Sequence, residues 1–271
     1  MEHIMQCVSV HGIELEYEIQ GSGDPVLLIH GAHIADALRP LGGQDALDPF
    51  ALIHYHRCGF AGSSRLSGIT TEDHSRHAVA LLDALGFHRT HVVGHSYGAA
   101  IALELAAAHP QRVASLALLE PAVMAGQASK EFTDVMRPVI TRYRAGDPGG
   151  AVDDFFALLG GPGWRERIER TVPGGVDQAK KDAATFFEVE LPAVMKWSFG
   201  PSRAAAIDCR VLSILGTQSG PLFAEGRKLL HVWFPRCEDA DIIGASHLLQ
   251  MEAPAGVAQA VAGLLRRSFG R

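Results

Sequence analysis

Several absences narrow the classes of protein to which this 271-residue chain belongs. Runs of lysine and arginine are missing and the net charge is −6, so we expect no nucleic-acid partner and no anionic membrane partner. No lysine or arginine precedes Arg39, and no run of about 18 apolar residues occurs, so neither a secretory signal nor a membrane span is predicted. We therefore expect a cytoplasmic protein that binds a small molecule, and the composition leaves monomer and homodimer open.

Cysteine is scarce, and its spacing carries no metal or redox pattern. The chain has four cysteines and no C-x-x-C pair, so we expect free thiols. Fourteen histidines are present, and His54 and His56 fall on one face of a predicted strand. Because no aspartate or glutamate follows them in HYHRCGF, the sequence predicts no metal site there.

Short apolar runs recur along the chain in the form expected for parallel strands covered on both faces. The runs are VLLIHG, ALIHY, THVVG, LALL, RVLSILG and DADIIG, and an alternating hairpin, SVHGIELEYEIQG, precedes them. Helical patterns separate most of the runs. Alternating strands and helices predict an α/β fold with a doubly wound sheet, in which ligands bind at the carboxyl ends of the strands.

One interval breaks this alternation, because about 90 residues separate Glu120 from the strand that begins at Val211. Its helix-like pieces are rich in aromatic residues and are interrupted by DPGG, GGPG and VPGG. We predict a helical cap at residues 121–206, inserted into a core made of residues 1–120 and 207–271. Most of its aromatic side chains are expected to form the core of the cap. Candidates for lining a substrate pocket are Phe156, Phe187 and Trp197.

The segment HVVGHSYGAA places Ser96 between Gly94 and Gly98, after a predicted strand and before an alanine-rich helix. This context is typical of a nucleophile elbow, in which a tight turn holds the serine in a strained conformation and tolerates only small neighbours. The bare G-x-S-x-G pattern is common by chance, but its setting between a strand and a helix is specific. We predict that Ser96 is the nucleophile.

Two further segments supply groups that a nucleophilic serine needs. In IHGA, the backbone N–H of Ala32 follows a strand and, with the N–H of Tyr97, is predicted to form an oxyanion hole. His33 is the adjacent candidate for substrate binding. In IIGASHLLQ, His247 follows the last strand and is predicted to act as general base.

These motifs resemble those of the α/β-hydrolase superfamily over about residues 10–120 and 207–267. The matching segments are HGA, GHSYG and GASH, and HRCGFAGSS is similar to the D-x-R-G-x-G-x-S turn of the family, with His56 in place of the aspartate. The resemblance implies an eight-stranded, mostly parallel sheet with a cap. Serine at the elbow implies acyl transfer without a metal or organic cofactor, whereas dehalogenases and epoxide hydrolases of the family use aspartate there.

The acid of the catalytic triad departs from the common pattern. In most relatives it follows the seventh strand, but residues 216–219 read GTQS and contain no carboxylate. A minority of relatives, including some haloalkane dehalogenases and the zearalenone-type lactonases, place the acid after the sixth strand, where LALLEP ends in Glu120. The resemblance implies that Glu120 accepts the Nδ1–H of His247. An alternative stays open, in which Glu120 pairs with an arginine and water or Ser219 orients the histidine.

The sequence therefore predicts a serine hydrolase that cleaves a small to medium, largely apolar carboxylic ester or lactone through an acyl-enzyme on Ser96. Two alternatives use the same scaffold. The first is C–C bond hydrolysis or cofactor-free oxygenation, and the second is a ligand receptor with slow turnover. Turnover of a generic aryl ester well above about one per second would argue against the receptor.

Overall fold

A sheet of eight strands forms the centre of the computed structural model, which describes residues 5–268. In chain order the strands are β1 (Gln6–Val10), β2 (Ile13–Gln20), β3 (Asp24–Ile29), β4 (Phe50–Tyr55), β5 (Thr90–His95), β6 (Val113–Leu119), β7 (Arg210–Gly216) and β8 (Glu238–Ile242). Across the sheet their order is β1-β2-β4-β3-β5-β6-β7-β8, and only β2 with its two neighbours pairs antiparallel. The predicted hairpin and the mostly parallel sheet are confirmed.

Helices follow most of the strands. The first two are α1 (Thr71–Ala84) and α2 (Tyr97–Ala108), and the last three are α9 (Pro221–Trp233), α10 (Leu249–Glu252) and α11 (Pro254–Arg267). Between β6 and β7 lie α3 (Gln127–Arg144), α4 (Pro148–Gly160), α5 (Trp164–Thr171), α6 (Gly175–Lys181), a π-helical segment (Thr185–Glu190), α7 (Leu191–Lys196) and α8 (Pro201–Ala204). Within residues 5–268, no helix combines the length and the apolar character that a bilayer crossing requires.

Apolar clusters cover both faces of the sheet. Consecutive residues of β5 point to opposite faces, so Val92 packs with residues of α1 and α2 whereas Val93 packs with residues of α11. This arrangement confirms the doubly wound architecture. Because β3 to β8 run parallel, the segments that follow them meet at one edge of the sheet.

The segment from α3 to α8, which we call the inserted helices, occupies the interval that the sequence marked as exceptional. It buries an apolar cluster rich in phenylalanine, to which Ile34, Ala37, Leu248 and Met251 also contribute. The division into a core of residues 1–120 and 207–271 and a cap of residues 121–206 stays a prediction, and residues 1–4 and 269–271 of it lie outside the described range.

His33, predicted to bind substrate, is instead enclosed by the inserted helices. Its ring is fully buried, and within residues 5–268 neither ring nitrogen has a hydrogen-bond partner. Burial lowers the pKa of His33 to about 3. Its backbone is left-handed, with φ 66°. The surrounding rings, which we call the aromatic cage, are Phe155, Phe156, Phe186 and Phe187.

A buried ion pair also joins the inserted helices to the sheet. Arg57, just after β4, is fully buried and pairs with Glu190 at the end of the π-helical segment. The same guanidinium donates from Nε to the carbonyl of His30 at 3.1 Å and from Nη2 to the carbonyl of Gly31 at 2.8 Å. Burial raises the pKa of Glu190, while the charge of Arg57 opposes that rise. Sequence reasoning missed this pair because nothing local marks Glu190 as buried.

We expect His33 to make the stability of the protein pH-dependent. Because the pKa of His33 is lowered from 6.5 to about 3, the unfolded chain takes up a proton in this interval and the folded chain does not. The resulting stability is present above pH 6.5 and is lost as the pH falls, by at most about 1.4 kcal/mol per pH unit. When urea unfolding is measured from pH 7 to pH 5, His33→Leu should reduce the slope of the free energy of unfolding against pH.

The matched control is Phe187→Leu, which changes the aromatic cage without removing a titrating group. Its free energy of unfolding should change with pH as that of the wild type does, even if the variant is less stable at every pH. The left-handed backbone at His33 likewise adds only a pH-independent penalty to the variant. A His33→Leu protein with the wild-type slope would contradict the assignment.

We expect Arg57→Met to lower the free energy of unfolding by about 3–5 kcal/mol, because it leaves the buried Glu190 without its counter-ion. Adding Glu190→Leu should recover much of that loss, since two apolar side chains leave no buried charge. Denaturant unfolding of the two variants measures both effects. As a control, Arg137→Met breaks an exposed pair with Asp134 and should cost less than about 1 kcal/mol. If Arg57→Met also cost less than about 1 kcal/mol, the result would contradict the prediction.

Candidate active site

Ser96 lies in the turn between β5 and α2, with φ 55° and ψ −120°. Residues other than glycine rarely adopt this conformation, so the turn is strained. The end of β6 holds it on both sides. The N–H of Ser96 donates to the carbonyl of Leu119 at 2.8 Å, and the carbonyl of Ser96 accepts from the N–H of Ala122 at 3.1 Å.

The two glycines that flank the serine permit close backbone packing. A Cβ at Gly98 would lie 2.2 Å from the carbonyl oxygen of Ile29 and 2.3 Å from that of His30. A Cβ at Gly94 would lie 2.6 Å from the Cα of Ala99. Since backbone atoms cannot move aside as flexible side chains do, this turn requires glycine at both positions.

A buried carboxylate contacts the predicted general base. Oε2 of Glu120 lies 2.5 Å from Nδ1 of His247, and both side chains are buried. Oε1 of Glu120 accepts from the N–H of Gly216 at 2.7 Å and from Oγ of Ser219 at 2.5 Å. Within residues 5–268, Glu120 pairs with no arginine, and Ser219 contacts the carboxylate rather than the imidazole. The geometry therefore does not match the alternative arrangement of Glu120 and His247.

Two neighbours that sequence reasoning missed hold the ring of His247. Phe223 stacks on it, with ring centroids 3.9 Å apart and planes 7° apart. Nε2 of His95 lies 3.0 Å from the carbonyl oxygen of His247. Burial lowers the pKa of His95 well below its usual value, so a neutral ring donates this bond. The position of His95 next to Ser96 was visible in the sequence, but its partner was not.

The two residues predicted to supply oxyanion amides lie beside the serine. Neither Ala32 N–H nor Tyr97 N–H donates to a protein acceptor within residues 5–268. Both residues line a cavity with Ser96, and Tyr97 is the first residue of α2, where the helix dipole favours negative charge. A Cβ at Gly31 would lie 3.1 Å from the Cβ of Ser96, so glycine lets the segment with Ala32 approach the elbow.

Two small cavities share Ser96 and Ala32 in their walls, with volumes of about 20 Å³ and 50 Å³. His247 lines the smaller cavity, and Glu190 lines the larger one. Glu190 Oε2 has no hydrogen-bond partner within the described residues. The remaining walls are mainly apolar side chains from the inserted helices and from α9, including Phe155, Leu159, Phe186, Leu222 and Phe223.

Of the three pocket residues predicted in the inserted helices, one lines a cavity beside Ser96 and two do not. Phe156 lines the smaller cavity. Phe187 lies outside both walls, because its ring stacks on Tyr143 with centroids 4.4 Å apart. Trp197 lies outside them too, since its Nε1 donates to Oε2 of Glu104 on α2 at 2.9 Å. Neither Phe187 nor Trp197 is in the walls of these two cavities, and neither is His33, so their part in substrate binding stays a prediction.

His54 and His56 have a carboxylate beside them although no acidic residue follows them in HYHRCGF. The structure brings a carboxylate to the pair from outside the strand, because Asp36 lies in the segment after β3. Oδ1 of Asp36 is 2.9 Å from Nε2 of His56. Sequence reasoning searched only the residues that follow the pair, and a contact over 20 positions escaped it.

The fold recurs in solved structures. An enol-lactonase from Burkholderia xenovorans LB400 superposes with a TM-score of 0.80 at 22% identity, covering 96% of this chain and 100% of that one. A thermophilic esterase from Thermogutta terrifontis gives a TM-score of 0.78 at 23% identity, covering 100% of both chains. At these identities the similarity shows the fold alone.

Sequence relatives match over shorter stretches. A putative non-heme haloperoxidase of Mycobacterium phage D29 is 33% identical over 151 residues, which are 55% of this chain and 54% of that protein. A 2-hydroxymuconate semialdehyde hydrolase of Pseudomonas putida is 36% identical over 104 residues, which are 37% of each. The chain thus spans about half or less of the length of these relatives.

The match to a family is broader than these pairwise matches. The pattern of the alpha/beta hydrolase fold family fits residues 24–254, a range that contains Ser96, Glu120 and His247. It therefore covers most of the chain and the whole of the site described above. The chain belongs to the alpha/beta hydrolase fold family.

Proposed function

We propose that this protein is a serine hydrolase that cleaves a small to medium, largely apolar carboxylic ester or lactone. The observation that carries the proposal is the contact of 2.5 Å between the buried Glu120 and Nδ1 of His247, in a site whose wall also contains the strained Ser96. A carboxylate in this position keeps the proton of His247 on Nδ1. The lone pair of Nε2 is then available for a proton from the serine.

In the acylation step, Ser96 Oγ attacks the acyl carbon while its proton passes to Nε2 of His247. The carbonyl oxygen becomes an oxyanion, and the N–H groups of Ala32 and Tyr97 stabilise it. Glu120 stabilises the imidazolium that forms. When the C–O bond breaks, the imidazolium gives its proton to the leaving alkoxide, which departs as an alcohol or, from a lactone, stays joined to the acyl group.

In the deacylation step, a water molecule gives one proton to His247 as its oxygen attacks the acyl carbon. A second oxyanion forms in the same hole and collapses, breaking the bond to Ser96 Oγ. The proton on His247 returns to the serine, and the carboxylic acid leaves. The steps consume one water per substrate and use only groups of this chain.

The walls of the cavities support an apolar substrate of limited size. Their lining is mostly aliphatic and aromatic, and their volumes of about 20 Å³ and 50 Å³ are small. Among proteins of the same fold are one named as an enol-lactonase and one as an esterase. The match to a protein named as a 2-hydroxymuconate semialdehyde hydrolase favours C–C bond hydrolysis as the second candidate.

We expect Ser96→Ala to lower kcat by at least about 10³-fold on any activated ester or lactone that the wild type turns over, because only binding and the oxyanion hole remain. The fold should be unchanged, since alanine keeps the backbone and loses one atom. A fluorophosphonate probe, read by mass spectrometry, should label Ser96 in the wild type and leave the variant unlabelled.

The same substrates separate the rival functions. Labelling at another serine, or no labelling together with no hydrolysis, would rule out the serine hydrolase. Labelling with slow ester turnover but rapid cleavage of a vinylogous 1,5-diketone would support C–C bond hydrolysis instead. Labelling with turnover near or below about one per second on every compound would favour the ligand receptor. Substrate consumption that depends on oxygen would favour the oxygenase.

We expect Glu120→Gln to lower kcat by about 10² to 10⁴-fold with little change in KM. Gly216 N–H and Ser219 Oγ both donate to Oε1, so the amide oxygen of glutamine takes that side and its NH₂ faces His247. Nδ1 then has to accept a hydrogen bond, which leaves the proton on Nε2 and removes the base. The measurement is steady-state kinetics on the best ester.

A control and a rescue make this test specific. Ser219→Ala removes one donor to the carboxylate but keeps the charge, so it should cost much less than Glu120→Gln. In the Glu120→Gln background, Ser219→Asp restores a carboxylate beside the histidine and should recover about 10-fold in kcat. Full activity of Glu120→Gln would show that the carboxylate is only structural.

A further inference from the structure

A second cluster of ionisable side chains lies at the antiparallel side of the sheet, away from Ser96. Asp36 comes from the segment after β3, His54 from β4, and His56 from the residue that follows β4. One potential ligand atom of each residue lies within 4.8 Å of the others. Both histidines are buried, whereas Asp36 is partly exposed, so the cluster is reached from solvent on the side of Asp36.

The two separations from Asp36 to the histidines fit a common metal ion. Oδ1 of Asp36 is 2.9 Å from Nε2 of His56 and 4.0 Å from Nε2 of His54. Ligands bound at about 2.1 Å lie roughly 3.0 Å apart in adjacent octahedral positions, 3.4 Å apart in a tetrahedron and 4.2 Å apart across an octahedron. The carbonyl oxygen of Ala35, 3.0 Å from Nε2 of His54, offers a fourth donor.

The opposite nitrogen of each ring faces a glutamate on β2. Nδ1 of His56 lies 2.8 Å from Oε2 of Glu16. Nδ1 of His54 is buried without a hydrogen bond and lies 3.9 Å from Oε1 of Glu18. Histidines that bind metals usually donate their second N–H to such a carboxylate, which orients the ring and makes the ligand more basic. His56 thus has the hydrogen-bonded carboxylate typical of a metal ligand, and His54 has a carboxylate nearby without a hydrogen bond.

The charges around the cluster also favour a cation. The cluster contains three carboxylates, from Asp36, Glu16 and Glu18, and one guanidinium, that of Arg39. Nε of Arg39 lies 2.8 Å from Oε1 of Glu18 and 3.2 Å from Oδ1 of Asp36. It therefore supplies part of the positive charge that the carboxylates need, and it competes with any metal for Asp36.

We propose that Asp36, His54 and His56 form a binding site for a divalent transition-metal ion. Two imidazoles and one carboxylate suit Zn²⁺ or Co²⁺ better than Mg²⁺ or Ca²⁺, which prefer oxygen ligands. The ion would link the end of β4 to the segment after β3, four residues beyond the oxyanion amide of Ala32. Its role is to hold that segment, and the site stands independently of the proposed hydrolase activity.

The test uses the whole protein, freed of metal by chelation, and Zn²⁺ as the probe. Calorimetric titration should show one site with a Kd in the micromolar range or below, and saturating Zn²⁺ should raise Tm. His56→Gln and Asp36→Asn should each weaken binding by at least about 10-fold. The matched control is His231→Gln, which removes a surface histidine paired with Asp239 and should leave the Kd unchanged.

Two further measurements distinguish a metal site from a mere ion-pair cluster. Arg39→Gln removes the competing cation, so it should tighten Zn²⁺ binding, whereas it would only weaken an ion-pair cluster. Co²⁺ should give a visible spectrum that His56→Gln abolishes. Asp36 is partly exposed, so Asp36→Asn tests the site even if His56→Gln fails to fold. No Zn²⁺ binding below about 1 mM, or binding that neither ligand variant weakens, would overturn the proposal.

Discussion

The active site depends on one buried carboxylate, that of Glu120. It accepts hydrogen bonds from Gly216 at the end of β7, from Ser219 beyond it, and from His247 after β8. An ionised carboxylate without these donors would cost several kcal/mol to bury, so the carboxylate and its three partners have to assemble together. The bonds of Ser96 to the end of β6 bring the strained turn into the same assembly. The conformation of Ser96 and the orientation of His247 thus share one origin in the packing of neighbouring parallel strands.

The inserted helices add apolar walls to this polar assembly. Their phenylalanines lie beside the serine, and apolar surroundings strengthen the contact between Glu120 and His247. The buried pair of Arg57 and Glu190 holds the π-helical segment against the segment with Gly31, next to Ala32. Arg57 therefore contacts both the inserted helices and the segment that precedes Ala32.

Sequence reasoning found the parts of the site whose signals are local. The elbow at Ser96 is defined by its flanking glycines, and the sheet by its apolar runs. Glu120 emerged because the usual position after the seventh strand lacks a carboxylate. The contacts of the inserted helices could not be found in this way. Trp197 binds Glu104 at a separation of 93 positions, so its side-chain direction depends on tertiary packing that periodicity does not encode.

A departure from a familiar motif carries as much information as a match. In the turn HRCGFAGSS, His56 stands where similar sequences have an aspartate, and taken alone this exchange looks local. In the fold, each ring nitrogen of the imidazole lies beside a carboxylate oxygen, Nδ1 beside Glu16 and Nε2 beside Asp36. Buried polar groups need hydrogen-bond partners, so Glu120 lies among three donors and His56 lies between two carboxylates. The two clusters differ because the buried groups differ. A buried carboxylate needs hydrogen-bond donors and can orient a histidine, whereas an imidazole beside two carboxylates lies where the negative charge favours a cation.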